Sequence, residues 1–357
     1  MLKKKPILWL SLLLAFGLVA AACGSDDSTS SATTGPGGAG DCPTAEGDVI
    51  ISGSSTVEPI SSRVGELVAD CGSGVAATVD GPGTGDGFKL FCAGDTDISD
   101  ASRPIKAEEA QMCADAGVDF IELKIGIDGI SVMTNPDNAV DCLSFEDLYA
   151  LIGPESEGFT KWSDAQSLAT ELGSDTTFPD ASLDITAPGE ESGTYDSFLE
   201  IVFKSISEAR AESGTITEDQ VQTSRKDYSS QSDDNAIISG IEGSPSSLGW
   251  VGFAYAENAG DGVKEIAISK EPGGDCIEPT AATIADTSYP ISRSLYLYVN
   301  AAQIDTNPAV AAYVDYYLSD AGISAVDEVG YVALAPADLD ATRAVWDAKE
   351  TGTRDGG

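Results

Sequence analysis

The chain has 357 residues, and its 59 Asp and Glu against 19 Lys and Arg give a formal net charge of −40 at pH 7. The basic residues are few and scattered, which excludes the basic surface typical of proteins that bind nucleic acid. The sequence contains no histidine, which excludes a Ser–His or Cys–His nucleophile pair and the commonest protein ligand of metals.

The N-terminus has the pattern of an export signal. Three lysines precede an apolar run over 7–22 that ends in three alanines, directly before Cys23. This order predicts a signal peptide over 1–22 rather than a membrane span. A cysteine directly after the small residues resembles the bacterial lipobox, which implies that Cys23 becomes the lipidated first residue of the mature protein. The alternative is an ordinary cleavage site, with Cys23 incidental.

A segment rich in Gly, Ser and Thr follows over residues 23–41. It has no large apolar side chain and cannot bury a core, so we expect a disordered tether behind a lipidated N-terminus. The sequence thus predicts an exported protein that is lipid-anchored to the outer face of the cell membrane, in the periplasm or at the cell surface.

From residue 48 onward, β-like segments alternate with segments of helical spacing. Strands, several of them ending in polar turns, are predicted over 48–56, 75–88, 96–105, 119–135, 247–259 and 289–300. Helices are predicted over 57–71, 89–94, 106–117, 142–153, 160–172, 195–206 and 307–322. Strands that alternate with helices of about 10–15 residues predict an α/β fold with parallel sheets.

Four polar turns lie where a predicted strand gives way to a helix. They are Ser54-Ser55-Thr56, Gly83-Thr84-Gly85, Ser102-Arg103 and Ser192-Gly193-Thr194. In open α/β sheets such strand ends face the ligand crevice, and a helix start offers N–H groups and a dipole that favour an anion. The alternative for each turn is plain helix capping, because Ser and Thr are preferred caps in any protein.

Six further cysteines lie in the body of the chain: Cys42, Cys71, Cys92, Cys113, Cys142 and Cys276. In an oxidising compartment an even set predicts disulfides. The sequence has no Cys-x-x-Cys cluster, which argues against a metal site.

Five separated segments carry a resemblance to a known family. They are ISGSSTVEPI (51–60), GPGTGDGFKLFCAGDTDISDASRPIKAEE (81–109), SGTYDSF (192–198), DYSSQSDDNAIISGIEGSPSSLGWVGFAYAEN (227–258) and YPISRSLYLYVN (289–300). Together they resemble the phosphate-binding proteins of bacterial phosphate ABC transporters, in the branch with the Asp-Ala-Ser-Arg-Pro form. The resemblance implies a two-lobed α/β periplasmic-binding-protein fold of type II. It also implies inorganic phosphate in the interlobe cleft, a membrane permease as partner, and a monomeric binder without a cofactor rather than an enzyme.

The resemblance also implies that the chain crosses twice between the lobes, and the two long β-like runs are the natural crossings. We therefore expect lobe I over 48–126 and 291–350, and lobe II over 127–290. Because a disulfide across the lobes would oppose hinge opening, each pair is expected to lie within one lobe. The expected pairs are Cys42–Cys71, Cys92–Cys113 and Cys142–Cys276.

Matched residue by residue, the resemblance implies phosphate ligands in every polar turn. The set is Ser55, Thr56, Val57, Thr84, Ser102, Arg103, Ser192, Gly193 and Thr194. Many relatives carry an arginine where this chain has Pro188, so we expect Arg103 to supply the guanidinium, whose fork suits phosphate.

Discrimination against sulfate needs an acceptor for the proton that phosphate carries and sulfate lacks. Some relatives have an aspartate for this role at the position of Ser102. Another carboxylate is therefore expected here, and Asp86 in the Gly-rich loop is favoured. The alternatives are Asp100, Asp233 and Asp234, although helix capping explains the last two equally well.

Two other functions stay open from the sequence. One is the binding of a different oxyanion, such as sulfate, molybdate or a phosphate ester. The other is a secreted phosphatase-like hydrolase on the same scaffold, which the lack of histidine, of a metal cluster and of an obvious lysine base disfavours.

Overall fold

The computed structural model of the protein describes residues 42–190 and 192–354. The predicted signal peptide (1–22), the predicted lipidation at Cys23 and all of the predicted tether (23–41) lie outside the described residues. Within the described part of the chain, no helix combines the length and the apolar character needed to cross a membrane.

Strands and helices alternate along the described residues, as the sequence predicts for an α/β fold. The strands are β1 (Glu46–Gly53), β2 (Gly74–Asp80), β3 (Ile98–Ala101), β4 (Phe120–Thr134), β5 (Cys142–Ser144), β6 (Asp184–Pro188), β7 (Ser229–Gln231), β8 (Ser247–Gly252), β9 (Lys264–Glu265), β10 (Ala267–Ser269) and β11 (Ser292–Asn300). The helices are α1 (Glu58–Asp70), α2 (Thr84–Ala93), α3 (Ala107–Ala116), α4 (Phe145–Ile152), α5 (Gln166–Glu171), α6 (Gly193–Phe198), α7 (Lys204–Glu212), α8 (Asp234–Glu242), α9 (Phe253–Ala256), α10 (Ala281–Ala285), α11 (Ala301–Thr306), α12 (Pro308–Tyr317), α13 (Asp320–Ile323), α14 (Ala325–Glu328) and α15 (Pro336–Ala348). A π-helical turn, Leu199–Phe203, joins α6 to α7 without a break.

The main sheet has the strand order β2-β1-β3-β11-β4-β8-β6-β7, with β9 beside β4. At one end β1 lies parallel between β2 and β3, and at the other end β6 lies parallel between β8 and β7. The central strands β11 and β4 are antiparallel to each other. We call the end with β1, β2 and β3 lobe I and the end with β6, β7 and β8 lobe II. This is the two-lobed α/β architecture that the family resemblance implies.

Strands β4 and β11 are the two long β-like runs that were expected to cross between the lobes. Strand β4 pairs with β11 from Phe120 to Gly129 and with β8 from Ile130 to Met133. It is buried along nearly its whole length, including the charged residues Glu122 and Asp128. The residue boundaries of the two lobes stay a prediction.

The apolar core forms separate clusters on the two sides of this junction. In lobe I, helices α1 and α12 cover one face of the sheet, with Val64 and Tyr313 fully buried. Helices α2 and α3 cover the opposite face, around Phe88. In lobe II the rings of Phe198 and Trp250 stack at 4.5 Å between centroids, inside the largest cluster. Each lobe therefore has an apolar core of its own.

Three disulfides join the six cysteines in the predicted pairs. Cys42–Cys71 ties the start of the described chain to the end of α1, and Cys92–Cys113 ties α2 to α3. Cys142–Cys276 ties β5 to the segment after β10 in lobe II. None of these three bonds crosses between the lobes, so none opposes a hinge motion.

Helix α2 begins earlier than the sequence predicts, at Thr84 rather than at residue 89. The residue before it, Gly83, has a φ of +106°, a conformation that a residue with a Cβ rarely adopts. The glycine-rich stretch is therefore a tight strand-to-helix turn, and Asp86 lies in the first turn of the helix.

Candidate functional site

Two adjoining cavities lie where lobe I meets the helix that follows β6. The smaller, which we call the inner cavity, has a volume of about 230 Å³ and is lined by Ser54, Ser55, Gly83, Thr84, Ser102, Asp196, Leu199, Glu200 and Gln222. The larger, the outer cavity, has a volume of about 770 Å³. It shares Gly83, Thr84, Glu200 and Gln222 with the inner cavity and also contacts Asp86, Lys89, Arg103, Lys106, Glu108, Glu109 and Lys204.

The first polar turn, after β1, is pinned to the neighbouring strand. The Ser54 N–H donates to the Asp100 carbonyl at 2.9 Å, and a Cβ at Gly53 would collide with that carbonyl. Ser55 thereby lines the inner cavity, whereas Thr56 and Val57 are buried behind it. Of the three residues predicted in this turn, the structure thus places one at the cavity.

The second and third polar turns meet at the inner cavity. The Thr84 and Ser102 hydroxyl oxygens lie 3.1 Å apart, and the Ser102 N–H donates to the Thr84 hydroxyl at 3.2 Å. Both side chains are buried. The N-terminus of the ten-residue α2 opens at Thr84, so its dipole adds a partial positive charge beside the two hydroxyls.

Arg103 follows Ser102 but lines the outer cavity rather than the inner one. Its two terminal nitrogens donate to the two carboxylate oxygens of Glu109, each at 2.8 Å. The guanidinium also lies 5.7 Å from the ring centroid of Phe88. The predicted guanidinium of the site is therefore held at its mouth, in a bidentate pair with an acid.

The fourth polar turn begins α6. Ser192 is the N-cap, and its hydroxyl accepts the Thr194 N–H at 3.2 Å. An added Cβ on Gly193 would lie 3.8 Å from the Ser55 carbonyl oxygen, so this helix start lies against the first turn of lobe I. Further along this continuous helix, Asp196 in α6 and both Leu199 and Glu200 in the π-helical turn line the inner cavity.

An arginine that sequence reasoning missed lies beneath the cavities. Arg293 faces Asp128 across the β11–β4 pair and donates to its carboxylate at 3.3 Å. It also donates to Glu200 at 2.5 Å, to the Thr56 hydroxyl at 3.0 Å and to the Ser197 hydroxyl at 2.9 Å. One guanidinium thus joins both crossing strands, the first turn of lobe I and the helix of lobe II.

The sequence alone could have marked Arg293 as a residue with a special role. Arg293 is the sole charged residue in the apolar run 289–300, and a charge in a buried strand needs a partner. We call Arg293, Asp128, Glu200, Thr56 and Ser197 the hinge network.

The carboxyl groups around the inner cavity differ in their surroundings. Burial raises the pKa of Asp196, and the negative charge of Glu200 adds to the effect. Burial also acts to raise the pKa of Glu200, but Arg293 opposes it and holds that pKa below the usual range. Burial raises the pKa of Asp128 even though Arg293 faces it.

The four carboxylates considered as proton acceptors lie away from the inner cavity. The Asp86 side chain is 60% exposed and pairs with Lys89 at 2.7 Å, on the rim of the outer cavity. Asp100 is buried against α1, where it accepts from the Ser61 hydroxyl at 3.0 Å. Asp233 caps α8 through the Ala236 N–H, and Asp234 is the first residue of that helix.

No group of three or more Cys, Asp and Glu side chains is arranged to hold a metal ion within the described part of the chain. The inner cavity is instead lined by hydroxyls, an amide and two carboxyls. Hydroxyl donors and a helix start suit a tetrahedral oxyanion, and a carboxyl beside them suits one that carries a proton.

Comparisons with known proteins found a matching family model and several similar proteins. A family model described as a PBP superfamily domain matches residues 29–321. Protein SphX of Synechocystis sp. is 35% identical over 312 residues, which cover 87% of this chain and 85% of that protein. The phosphate-binding protein PstS of Staphylococcus aureus is 33% identical over 300 residues, which cover 84% of this chain and 82% of that protein.

The fold has a counterpart among solved structures. The crystal structure of a possible phosphate binding protein from Planctomyces limnophilus superposes with a TM-score of 0.75 at 32% sequence identity. The match covers 86% of this chain and 99% of that chain, so the likeness of the fold extends over both lobes.

Proposed function

The chain belongs to the PBP superfamily, and on that premise we propose that it is the phosphate-binding component of a phosphate ABC importer. The observation that carries the proposal is the inner cavity, a space of about 230 Å³ between the lobes that is lined by hydroxyls and opens at the start of α2. Relatives named as phosphate-binding proteins match more than four fifths of the chain.

The net charge of −40 does not conflict with an anion site. Surface charges are screened beyond about 8–10 Å at ordinary ionic strength. Within the cavity, buried hydroxyls and N–H groups make charge-assisted hydrogen bonds, which strengthen where water is excluded. Uncharged donors are therefore sufficient to hold phosphate in an acidic protein.

We assign the direct contacts to Ser55, Thr84 and Ser102 on lobe I, facing the helix of lobe II. Thr56 and Val57 support the first turn from behind. Ser192, Gly193 and Thr194 supply the helix start that lies against Ser55. Arg103 acts at the mouth, where it meets the incoming anion. Because phosphate contacts both lobes only when they are close together, its binding favours the closed state.

We assign the proton acceptor to Asp196 in place of Asp86. Asp196 lines the inner cavity together with Ser55, whereas Glu200 beside it is held by Arg293. Phosphate near neutral pH carries at least one proton that can donate to this carboxylate. Sulfate carries none, so its oxygens would face Asp196 as unpaired like charges.

The test is a calorimetric titration of the wild type and of Asp196→Asn with phosphate and with sulfate. The wild type is expected to bind phosphate and reject sulfate. Asp196→Asn is expected to lose much of that discrimination, because an amide donates to sulfate as readily as it accepts from phosphate. Asp86→Asn is the matched control and should discriminate like the wild type. Wild-type protein without affinity for phosphate would overturn the proposed function.

A phosphate-binding component of an importer is expected outside the cytoplasm and is expected to have no enzymatic activity. We propose that the protein is exported, is anchored through a lipid on Cys23, acts as a monomer and delivers phosphate to a membrane permease. It is expected to release no phosphate from p-nitrophenyl phosphate, and such release would favour the hydrolase alternative. Mass spectrometry of the mature N-terminus tests the lipid directly.

A further inference from the structure

A residue at the junction of the two cavities has an unusual backbone conformation. Gln222 has a φ of +52°, in the left-handed region, and it shares positive φ with only two other non-glycine residues of the described chain, Thr287 and Lys349. Such a conformation costs free energy and persists where the surrounding contacts impose it. Strained residues of this kind cluster at ligand-binding sites.

The contacts that impose it come from lobe II. The Gln222 N–H donates to the Ser207 hydroxyl of α7 at 3.2 Å, and the Thr223 hydroxyl donates to the Gln220 carbonyl at 2.9 Å. Next in the chain, Ser224 is buried and its hydroxyl lies 3.0 Å from that of Tyr195. Both flanks of Gln222 are therefore fixed to lobe II, and Gln222 is held at the cavities.

Gln222 lies at the boundary between the inner and the outer cavity. It is one of four residues that line both, together with Gly83, Thr84 and Glu200. The Thr84 hydroxyl is engaged with Ser102 and the Glu200 carboxylate with Arg293. The Gln222 carboxamide makes no hydrogen bond to residues 42–190 or 192–354 in the structure, so its two donors and its acceptor are available to a ligand.

We propose that Gln222 closes the oxyanion cavity on its outer side, where its carboxamide donates to bound phosphate and blocks the path that the organic arm of a phosphate monoester would take. The proposal rests on the proposed function and adds a selectivity for free phosphate over its esters. The outer cavity of about 770 Å³ offers ample room for such an arm. The boundary residue, and not a lack of space, therefore excludes the ester.

The decisive variant is Gln222→Gly, titrated by calorimetry with inorganic phosphate and with glycerol 3-phosphate. Glycine adopts a φ of +52° without strain, so the fold and the unfolding midpoint should be kept or improved. Phosphate affinity is expected to fall about tenfold or more, because a hydrogen bond to a charged ligand is lost. Affinity for glycerol 3-phosphate is expected to stay level or to rise, so the preference for phosphate shrinks.

Thr287→Gly is the matched control. Thr287 has a φ of +57° and lines a separate cavity of about 440 Å³ in lobe II. The same relief of backbone strain at that position should leave the preference for phosphate unchanged. Gln222→Glu, which keeps the size of the side chain but replaces its donors with a negative charge, should weaken phosphate binding more than Gln222→Gly does.

The outcomes separate the two proposals. If the wild type binds phosphate and Gln222→Gly keeps the wild-type ratio of phosphate to ester affinity, the boundary role is overturned and the proposed function stands. If Gln222→Glu binds phosphate as tightly as the wild type, the donor role is overturned. If the wild type binds no phosphate, both proposals fall together.

Discussion

The hinge network and the interior of lobe I each bury a carboxyl group, but they compensate it in different ways. Asp128 is 2% exposed and faces the guanidinium of Arg293. Asp100 is 1% exposed and accepts from the Ser61 hydroxyl, while its second oxygen has no hydrogen-bond partner among the described residues. Burial raises the pKa of Asp100 to about 8. One carboxyl is therefore compensated by a cation, and the other by retaining its proton at neutral pH.

The two carboxyl groups are compensated differently because they lie at different places in the fold. The guanidinium of Arg293 lies where the crossing strands, the first turn of lobe I and the α6 helix meet. A charge there, with several donors in fixed directions, can hold elements of both lobes in one arrangement. Asp100 lies on β3 inside a single lobe, and its carboxyl group joins that strand to α1. Arg293 thus places a buried charge where elements of both lobes meet, whereas the Asp100 carboxyl acts within lobe I.

Removal of the hinge cation is expected to have the largest effect. In Arg293→Gln, the buried Asp128 and the neighbouring Glu200 face each other without a positive charge. Breaking a buried pair by removal of one partner costs about 3–5 kcal/mol, to be measured as the free energy of unfolding in urea. The control is Arg343→Gln, whose partner Asp320 is 95% exposed. That variant should lose at most about 1 kcal/mol.

A second substitution sharpens this prediction. Asp128→Asn in the Arg293→Gln background removes the uncompensated carboxyl and should recover part of the lost stability. If Arg293→Gln is no less stable than Arg343→Gln, the hinge cation does not compensate the buried acids, and the contrast with Asp100 disappears.

Features of this protein that depend on a local sequence pattern or on a resemblance could be predicted from the sequence, whereas features that depend on the pairing of distant segments could not. The crossing strands could be predicted from two long β-like runs, and the disulfide pairs from the expectation that each pair lies within one lobe. The hinge network was not, because the pairing of Arg293 with Asp128 depends on the register of β11 against β4. No local pattern fixes the register of strands more than 150 residues apart, as these are.

The choice between Asp86 and Asp196 as the proposed proton acceptor shows the same limit, here at the scale of one helix turn. Asp86 and Asp196 each follow a glycine-containing turn by a few residues. Because α2 begins at Thr84, Asp86 falls on the exposed side of its first turn and pairs with Lys89. Asp196 falls on the side of α6 that faces the inner cavity. The starting residue of each helix decides which carboxyl lines the inner cavity, and helix starts are poorly predicted from sequence.

A smaller effect is expected where the buried groups are uncharged hydroxyls. Ser102→Ala removes a cavity hydroxyl and should weaken phosphate binding by about 1.5–3 kcal/mol, the usual loss for a hydrogen bond to a charged group. Ser192→Ala removes a helix cap and should lower the stability of the ligand-free protein by about 1 kcal/mol, with a smaller loss of affinity. Calorimetry and urea unfolding separate the two. An equal loss of affinity in both variants would show that Ser192 contacts the anion directly.

The last prediction concerns the buried carboxyl that has no cation beside it, and over the interval from pH 7 to pH 8 its effect is the smallest: the stability should depend on pH through Asp100. Its pKa is about 8 in the folded protein and near its ordinary value of 3.8 in the unfolded chain. Between these values the folded state holds a proton that the unfolded state releases, so stability falls as pH rises through this window and levels off above it. The contribution should change by about 1 kcal/mol between pH 7 and pH 8 and by little above pH 9. The measurement is the difference in unfolding free energy between the wild type and Asp100→Asn across this range, with the exposed Asp320→Asn as the control. If the difference does not depend on pH, Asp100 is charged in the folded protein and some positive group compensates it, as Arg293 does for Asp128.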